Sequence, residues 1–218
     1  MSFFMRKNLR NILMAGAFGL AGLLPMQRSE AQGNVSGNVE YIQSEKSEAS
    51  LVRPNLFYKV LGLNGYTFVE SYRDENFFGK TILSKDLGSR VKPTVEFVYG
   101  SGFRDKSGAG ASFNVPMPKS TSLSVKVLPL WIDDKGYIKN RVAAGFSGNV
   151  SFPLGFSLSS FGEANIASKG GAQWGYGEVR LGKDLSKNLS VAFNPLLKNK
   201  GKLAPRIENA FSAKYTFK

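Results

Sequence analysis

Cysteine and histidine are both missing from this chain of 218 residues. Their absence excludes thiol nucleophiles, Ser-His-Asp and Cys-His catalysis, zinc sites built on either ligand, and haem held by histidine. It also excludes disulfide stapling and the thiol-linked lipid of a bacterial lipoprotein. Long apolar runs are missing as well. Beyond the first 31 residues nothing approaches the roughly 20 apolar residues that a spanning helix needs. Acidic residues are few, 16 against 29 Lys and Arg, for a formal charge of +13. Such an excess invites anionic partners. The basic residues are scattered, however, with Lys198, Lys200 and Lys202 the one local cluster. That pattern, on a chain that reads as exported, argues against nucleic acid. Asp133 and Asp134 form an adjacent acid pair, and Asp133-Asp134-Lys135-Gly136 reads as a hairpin turn. No catalytic, cofactor or metal site emerges, and an enzyme is not expected.

The start of the chain has the order of an export signal. Arg6, Lys7 and Arg10 precede an uncharged run from Ile12 to Leu24, Pro25 breaks it, and Ser29-Glu30-Ala31 offers a small-residue cleavage point. The run is too short to span a bilayer. Residues 1–31 are therefore expected to be a cleavable signal peptide for Sec-type export, and residues 32–218 one domain.

The remainder reads as consecutive strands. Approximate segments are Asn34–Gln43, Asn55–Leu63, Tyr66–Tyr72, Phe77–Ser84, Val91–Gly100, Ala109–Val115, Thr121–Trp131, Tyr137–Phe146, Val150–Phe161, Gln173–Lys183, Leu189–Lys198 and Arg206–Phe217. That gives about twelve strands, within a range of eight to twelve. Connections alternate in character. Asn64-Gly65, Lys85–Arg90, Pro116–Ser120, Ser147–Asn149 and Asp184–Asn188 are short, whereas the intervening ones are longer and richer in charge or glycine. Asn-Gly is favoured in two-residue hairpins because both residues tolerate positive φ. Short turns on one side and longer loops on the other match the asymmetry of bacterial barrels.

The last thirteen residues carry the clearest period. Ile207, Phe211, Ala213, Tyr215 and Phe217 fall on one face, and Arg206, Glu208, Ala210, Ser212, Lys214 and Thr216 on the other. An aromatic near the terminus, with a second two residues upstream and apolar residues at alternate positions before it, resembles the closing strand of Gram-negative outer-membrane β-barrels. Here Lys218 follows the aromatic. The resemblance implies an all-β, up-and-down antiparallel transmembrane barrel in the outer membrane. It also implies contact with outer-membrane lipid and lipopolysaccharide, and handling by a barrel-assembly machinery.

Alternation divides each strand into a lipid face and a lumen face. Val91, Val95, Phe97 and Tyr99, for example, alternate with Lys92, Thr94 and Glu96. On this reading the lumen charges are Glu40, Lys59, Lys80, Glu96, Lys126, Lys139, Arg141, Glu178, Arg180, Arg206, Glu208 and Lys214. Tyr41, Tyr72, Tyr99, Trp131, Trp174, Tyr176, Tyr215 and Phe217 fall near strand ends, where membrane-interface aromatics are favoured. The basic excess of the lumen set points to a passive, porin-like pore for small solutes with weak anion preference. The alternatives are a closed outer-membrane barrel with a structural or surface-interaction role, and a soluble secreted ligand-binding β-barrel.

Overall fold

The computed structural model describes residues 35–45, 50–60, 62–72, 76–88, 90–101, 105–139, 141–167, 171–198 and 206–217. The expected signal peptide lies outside them, as does Lys218. Period-two sequence becomes period-two structure almost throughout. The strands are β1 (Val35–Ser44), β2 (Leu51–Val60), β3 (Leu63–Tyr72), β4 (Phe77–Lys85), β5 (Val91–Gly100) and β6 (Lys106–Val115). There follow β7 (Thr121–Asp133), β8 (Ile138–Lys139 and Arg141–Ser151), β9 (Phe156–Ala167) and β10 (Gly171–Asp184). The last two are β11 (Leu189–Phe193 and Leu196–Lys198) and β12 (Arg206–Glu208 and Ala210–Phe217).

Each strand pairs antiparallel with the next, and β12 returns to β1 through eight partners from Gly37↔Phe217 to Ser44↔Ala210. The sheet thus closes into an antiparallel 12-strand barrel. Closure leaves no unpaired strand edge. A strand of ten residues is about 33 Å long. Tilted by about 40° it covers roughly 25 Å, the height of the apolar band of a membrane barrel.

The distribution of polarity is inverted relative to a water-soluble domain. Exposed residues include Val39, Val95, Phe97, Val191, Phe193, Phe211 and Tyr215, while Glu40, Glu70, Glu96 and Glu178 are buried. Glu96, at 0 % exposure, has Phe97 at 40 % beside it. A surface of Val, Leu and Phe around a buried set of carboxylates is stable when hydrocarbon, not water, surrounds it.

Two turns differ from the sequence expectation. The β2–β3 hairpin turns at Gly62, with φ of 75°, and Val60 pairs with Leu63. Asn64 and Gly65 lie inside β3 instead, opposite Lys59 and Tyr58. Gly65 is needed there for space, because a Cβ would sit 2.0 Å from the Tyr58 ring. Ser147–Asn149 likewise runs within β8, paired to Ser122–Ser124. That chain reverses at Pro153-Leu154-Gly155, where Leu154 has φ of 61° and Gly155 φ of 76°. In both places an Asn-Gly or Gly-Asn pair suggested a turn, and another glycine supplies it, Gly62 just before the first pair and Gly155 some residues after the second.

Candidate functional site

Among the described residues the continuous interior is the barrel lumen, and it is layered along its axis. β1 runs from the end that carries the short turns, so its inward residues Ser36, Asn38, Glu40, Ile42 and Ser44 sample the layers in order.

The short-turn end is a polar vestibule. Its wall is built from Ser36 and Asn38 on β1, Asn64 on β3, Ser84 on β4, and Ser122, Ser124, Ser147 and Asn149 on β7 and β8. Two hollows open there, of about 360 Å3 on the β1–β4 wall and about 430 Å3 on the β6–β8 wall.

The middle layer is ionic and falls into two clusters. In the first, Arg53 on β2 is 2.7 Å from Glu70, 3.1 Å from Glu178 and 3.6 Å from Glu40. Arg180 adds contacts at 2.5 Å to Glu40 and 2.8 Å to Glu178. Tyr72 donates to Glu70 at 2.5 Å, and Asn194 donates to Glu178 at 3.0 Å while accepting from Ser212. The Tyr176 hydroxyl lies 3.3 Å from both Arg53 and Glu178. The strands holding this cluster are β1, β2, β3, β10, β11 and β12, half of the ring, and Arg53 joins Glu70 on β3 to Glu178 on β10 across it.

The second cluster joins Glu96 on β5 and Glu163 on β9 through two lysines. Lys80 on β4 is 3.0 Å from Glu96 and 2.9 Å from Glu163. Lys126 on β7 contacts Glu96 and lies 3.1 Å from Glu163. Because β4 and β9 stand nearly opposite one another on the ring, the Lys80–Glu163 contact crosses the lumen.

The third layer, toward the longer loops, is apolar. Ile42, Leu51, Leu196 and Ala210 pack with Tyr72 and Tyr176 on one side, and Leu128, Trp131 and Ala143 with Val98 on the other. Arg141 lies over the Trp131 ring, 4.4 Å from its centroid.

The lumen residues expected from sequence fall as follows. Lys80, Glu96, Lys126, Glu178 and Arg180 sit in the two clusters, with Glu40. Glu208 is buried and hydrogen-bonded by Ser44. Lys59 is exposed at the vestibule, and Lys214 is half-buried opposite Glu40. The side chains of Lys139 and Arg206 lie outside the description.

Sequence reasoning missed Arg53, Glu70 and Glu163. Arg53 sits beside Pro54, in a stretch read as loop. Glu70 belongs to β3, where both faces are largely apolar or aromatic and the polar stripe is hard to see. The period of β9 was blurred by the turn misplaced near its start. Counting the three, and Lys214 at the level of Glu40, Arg53, Lys80, Lys126, Arg180 and Lys214 stand against Glu40, Glu70, Glu96, Glu163 and Glu178. The ionic layer is balanced.

Three of the expected interface aromatics point inward. Trp131 is 1 % exposed, and its indole donates to the Leu128 carbonyl at 3.1 Å. A register shift opposite Ala109 and Ala111 places an extra residue in β7 and reverses which side chains face the lumen. Tyr176 follows a second shift, between Glu163↔Tyr176 and Ala164↔Trp174, so it faces inward while Trp174 stays outside. Tyr72 simply shares the face of Glu70. Tyr41, Tyr99, Trp174, Tyr215 and Phe217 lie on the outer surface, and a Cβ at Gly162 would meet the Trp174 ring at 2.6 Å.

Comparison with solved structures agrees with this architecture. The KdgM porin superimposes with a TM-score of 0.57 at 10 % identity, over 84 % of this chain and 99 % of its own. Its complex with disordered oligogalacturonate gives the same values. The fold is that of the outer-membrane β-barrel channels. A Pseudomonas putida F1 outer membrane channel aligns with a TM-score of 0.47 at 10 % identity, over 88 % of this chain and 98 % of its own. No protein-family model matches the sequence, and neither does any curated protein.

Proposed function

We propose that this chain is a narrow, porin-like channel of the bacterial outer membrane that passes small polar solutes, with a weak preference for anions. The observation that carries the reading is a closed barrel, apolar outside, whose lumen carries polar groups beside one aromatic wall from the vestibule to a charged constriction. A barrel that only needed filling would be served by apolar side chains, since buried ion pairs are no more stabilising than a well-packed apolar core. Charges retained at such cost fit a wall meant to be wet and selective. The ionic layer balances, so sign preference rests on the vestibule, where Lys59 is exposed, with Lys214 half-buried above it opposite Glu40. The KdgM porin, similar in fold, is known in a complex with oligogalacturonate, an acidic sugar chain. Cleavage after Ala31 and export to the outer membrane belong to the same proposal. N-terminal sequencing of the membrane-extracted protein would begin near Gln32.

The test is a planar-bilayer recording under a salt gradient with the refolded barrel. Small conductance steps with a reversal potential on the anion side are expected, and Lys59→Glu with Lys214→Glu should remove the preference. A second reading has its own observation. The Lys80–Glu163 bridge crosses the lumen, which favours a closed barrel with a structural or surface role. Absence of any conductance from protein shown to be folded would replace the first reading by the second.

A further inference from the structure

The inner wall of β2, β3 and β4 carries an uninterrupted row of aromatic rings. Phe57 stacks on Tyr66 at 4.9 Å between centroids with planes 17° apart. Tyr66 lies 5.6 Å from Phe68, and Phe68 lies 5.8 Å from Phe78. The row climbs from the vestibule to the level of the ionic layer, where Arg53 stands 6.0 Å from the Phe68 centroid. Its lower end is open. Phe57 is 44 % exposed and lines the hollow of about 360 Å3 together with Tyr66, Lys59, Asn64, Ser36 and Ser84.

We infer that this hollow is a binding site for a pyranose sugar ring, and that the aromatic row is the track along which a short oligosaccharide lies. The inference rests on the reading of the barrel as a solute channel and names a solute class for it. A pyranose has an apolar face of C–H groups and an equator of hydroxyls. The apolar face matches the free face of the Phe57 ring, whose other face is covered by Tyr66. The equator needs donors and acceptors beside that stack, and Asn64, Ser36, Ser84 and Lys59 provide them. A concave site with a flat apolar floor and a few convergent polar groups is the usual form of a small-molecule pocket. A lipid chain would match the floor but leave the polar rim without partners. An inorganic ion would have no use for the rings. Above that stack Tyr66, Phe68 and Phe78 follow one another at 5.6 and 5.8 Å up the wall, so a chain entering at Phe57 meets further rings.

Binding of maltotriose and of trigalacturonate to the refolded full barrel in detergent micelles tests this without requiring conductance. Saturation-transfer NMR is expected to show contact with the sugar C–H protons of both trimers. Phe57→Ala and Tyr66→Ala should each weaken maltotriose binding at least tenfold, and Phe57→Tyr should retain it. Lys59→Ala should weaken trigalacturonate more than maltotriose. Folding of each variant is checked by heat-modifiable gel migration. If Phe57→Ala fails to fold, Phe57→Leu removes the ring face while keeping most of the volume. Binding of neither trimer at millimolar concentration would overturn the inference, as would maltotriose binding that is unchanged in the Phe57 and Tyr66 variants. A barrel that binds maltotriose yet conducts nothing would keep the site and discard the channel.

Discussion

The two ionic clusters solve the same problem with different chemistry. Around Arg53, one planar guanidinium faces three carboxylates, and the surplus acid is handled by Arg180, Tyr72 and Asn194. Arg53 on β2 reaches Glu178 on β10, four strands away round the ring, so this cluster also crosses the lumen. Around Lys80 and Lys126, two point charges share two carboxylates, and the contacts reach across the lumen. A guanidinium holds several acceptors in fixed directions, whereas an ammonium is a compact charge on a flexible stem. Both clusters span the ring; the first is therefore built as a dry, fixed crossing, and the second as one that water can enter. Exposure agrees: Arg53 and Glu178 side chains are 6 % and 1 % exposed, Lys80 and Glu163 14 % and 21 %.

If that contrast is right, removing the centre of the first cluster has the largest effect. Arg53→Met leaves Glu40, Glu70 and Glu178 facing one another with Arg180 as the remaining cation. Breaking a buried pair from one side costs about 3–5 kcal/mol. Urea unfolding of the barrel in vesicles should show a loss of that size. A loss below about 1 kcal/mol, the scale of an exposed pair, would mean that this crossing is as wet as the lysine bridge.

An outer-face charge gives a reference for the cost of a charge with no partner. Ala213 alternates with Phe211 and Tyr215 on the lipid-facing side of β12. Ala213→Arg should cost about 2–4 kcal/mol if it lies deep in the bilayer and less near its edge. Folding efficiency into vesicles measures it. An unchanged efficiency would show that the face of β12 does not meet hydrocarbon, and the inverted polarity of the whole barrel would need another explanation.

The bridge should respond in conductance more than in stability. Glu163→Gln removes the acid that holds Lys80 and Lys126 across the lumen, while Glu96 still serves both lysines on their own side. A stability change of about 1 kcal/mol, close to the net worth of an ordinary hydrogen bond, is expected. Single-channel conductance should rise and shift toward anions. Glu40→Gln, in the drier cluster, should change conductance little. Equal conductance changes in the two variants would erase the distinction between the dry crossing and the wet one.

How much of this was legible in the sequence depended on whether strand periodicity survived locally. β5 and β12 alternate without interruption, and their faces could be assigned residue by residue. So could the strand number, because a misplaced turn such as Ser147–Asn149 moves a boundary without changing the count. The lumen chemistry was less legible. Glu96, Lys80, Lys126, Glu178 and Arg180 were visible as inward charges, but which of them meet depends on the stagger of strands around the ring. Nothing local to β4 announces that Lys80 will meet Glu163, 83 positions away. The register shifts in β7 and β10 are the other obstacle. A single extra residue turned Trp131 from an expected outer-surface ring into a buried one, and no composition signal marked it apart from Pro129 beside Gly110 across the ladder, where a Cβ would lie 2.7 Å from the Pro129 ring.

The smallest expected effect belongs to the pair that lies outside both clusters. Asp86 and Lys92 flank the turn after β4, 3.4 Å apart, with the Asp86 side chain 47 % exposed. The Gly88 backbone N–H donates to the Asp86 carboxylate at 3.0 Å, and that bond, ahead of Lys92, holds the acid below its usual range. A depressed folded value means that the ionised form is favoured by folding. The contribution is therefore fully present above the ordinary carboxylate range and disappears as pH falls through the lowered value. Carboxyl NMR on the refolded barrel should find Asp86 titrating below a model aspartate. Lys92→Met should raise its midpoint only part of the way, since Gly88 still donates, and unfolding at neutral pH should barely change. A midpoint that returned fully to the model value in Lys92→Met would show that the ammonium, not the turn, sets this carboxylate. The rim pair would then behave as a solvated version of the lysine bridge rather than as a property of the turn.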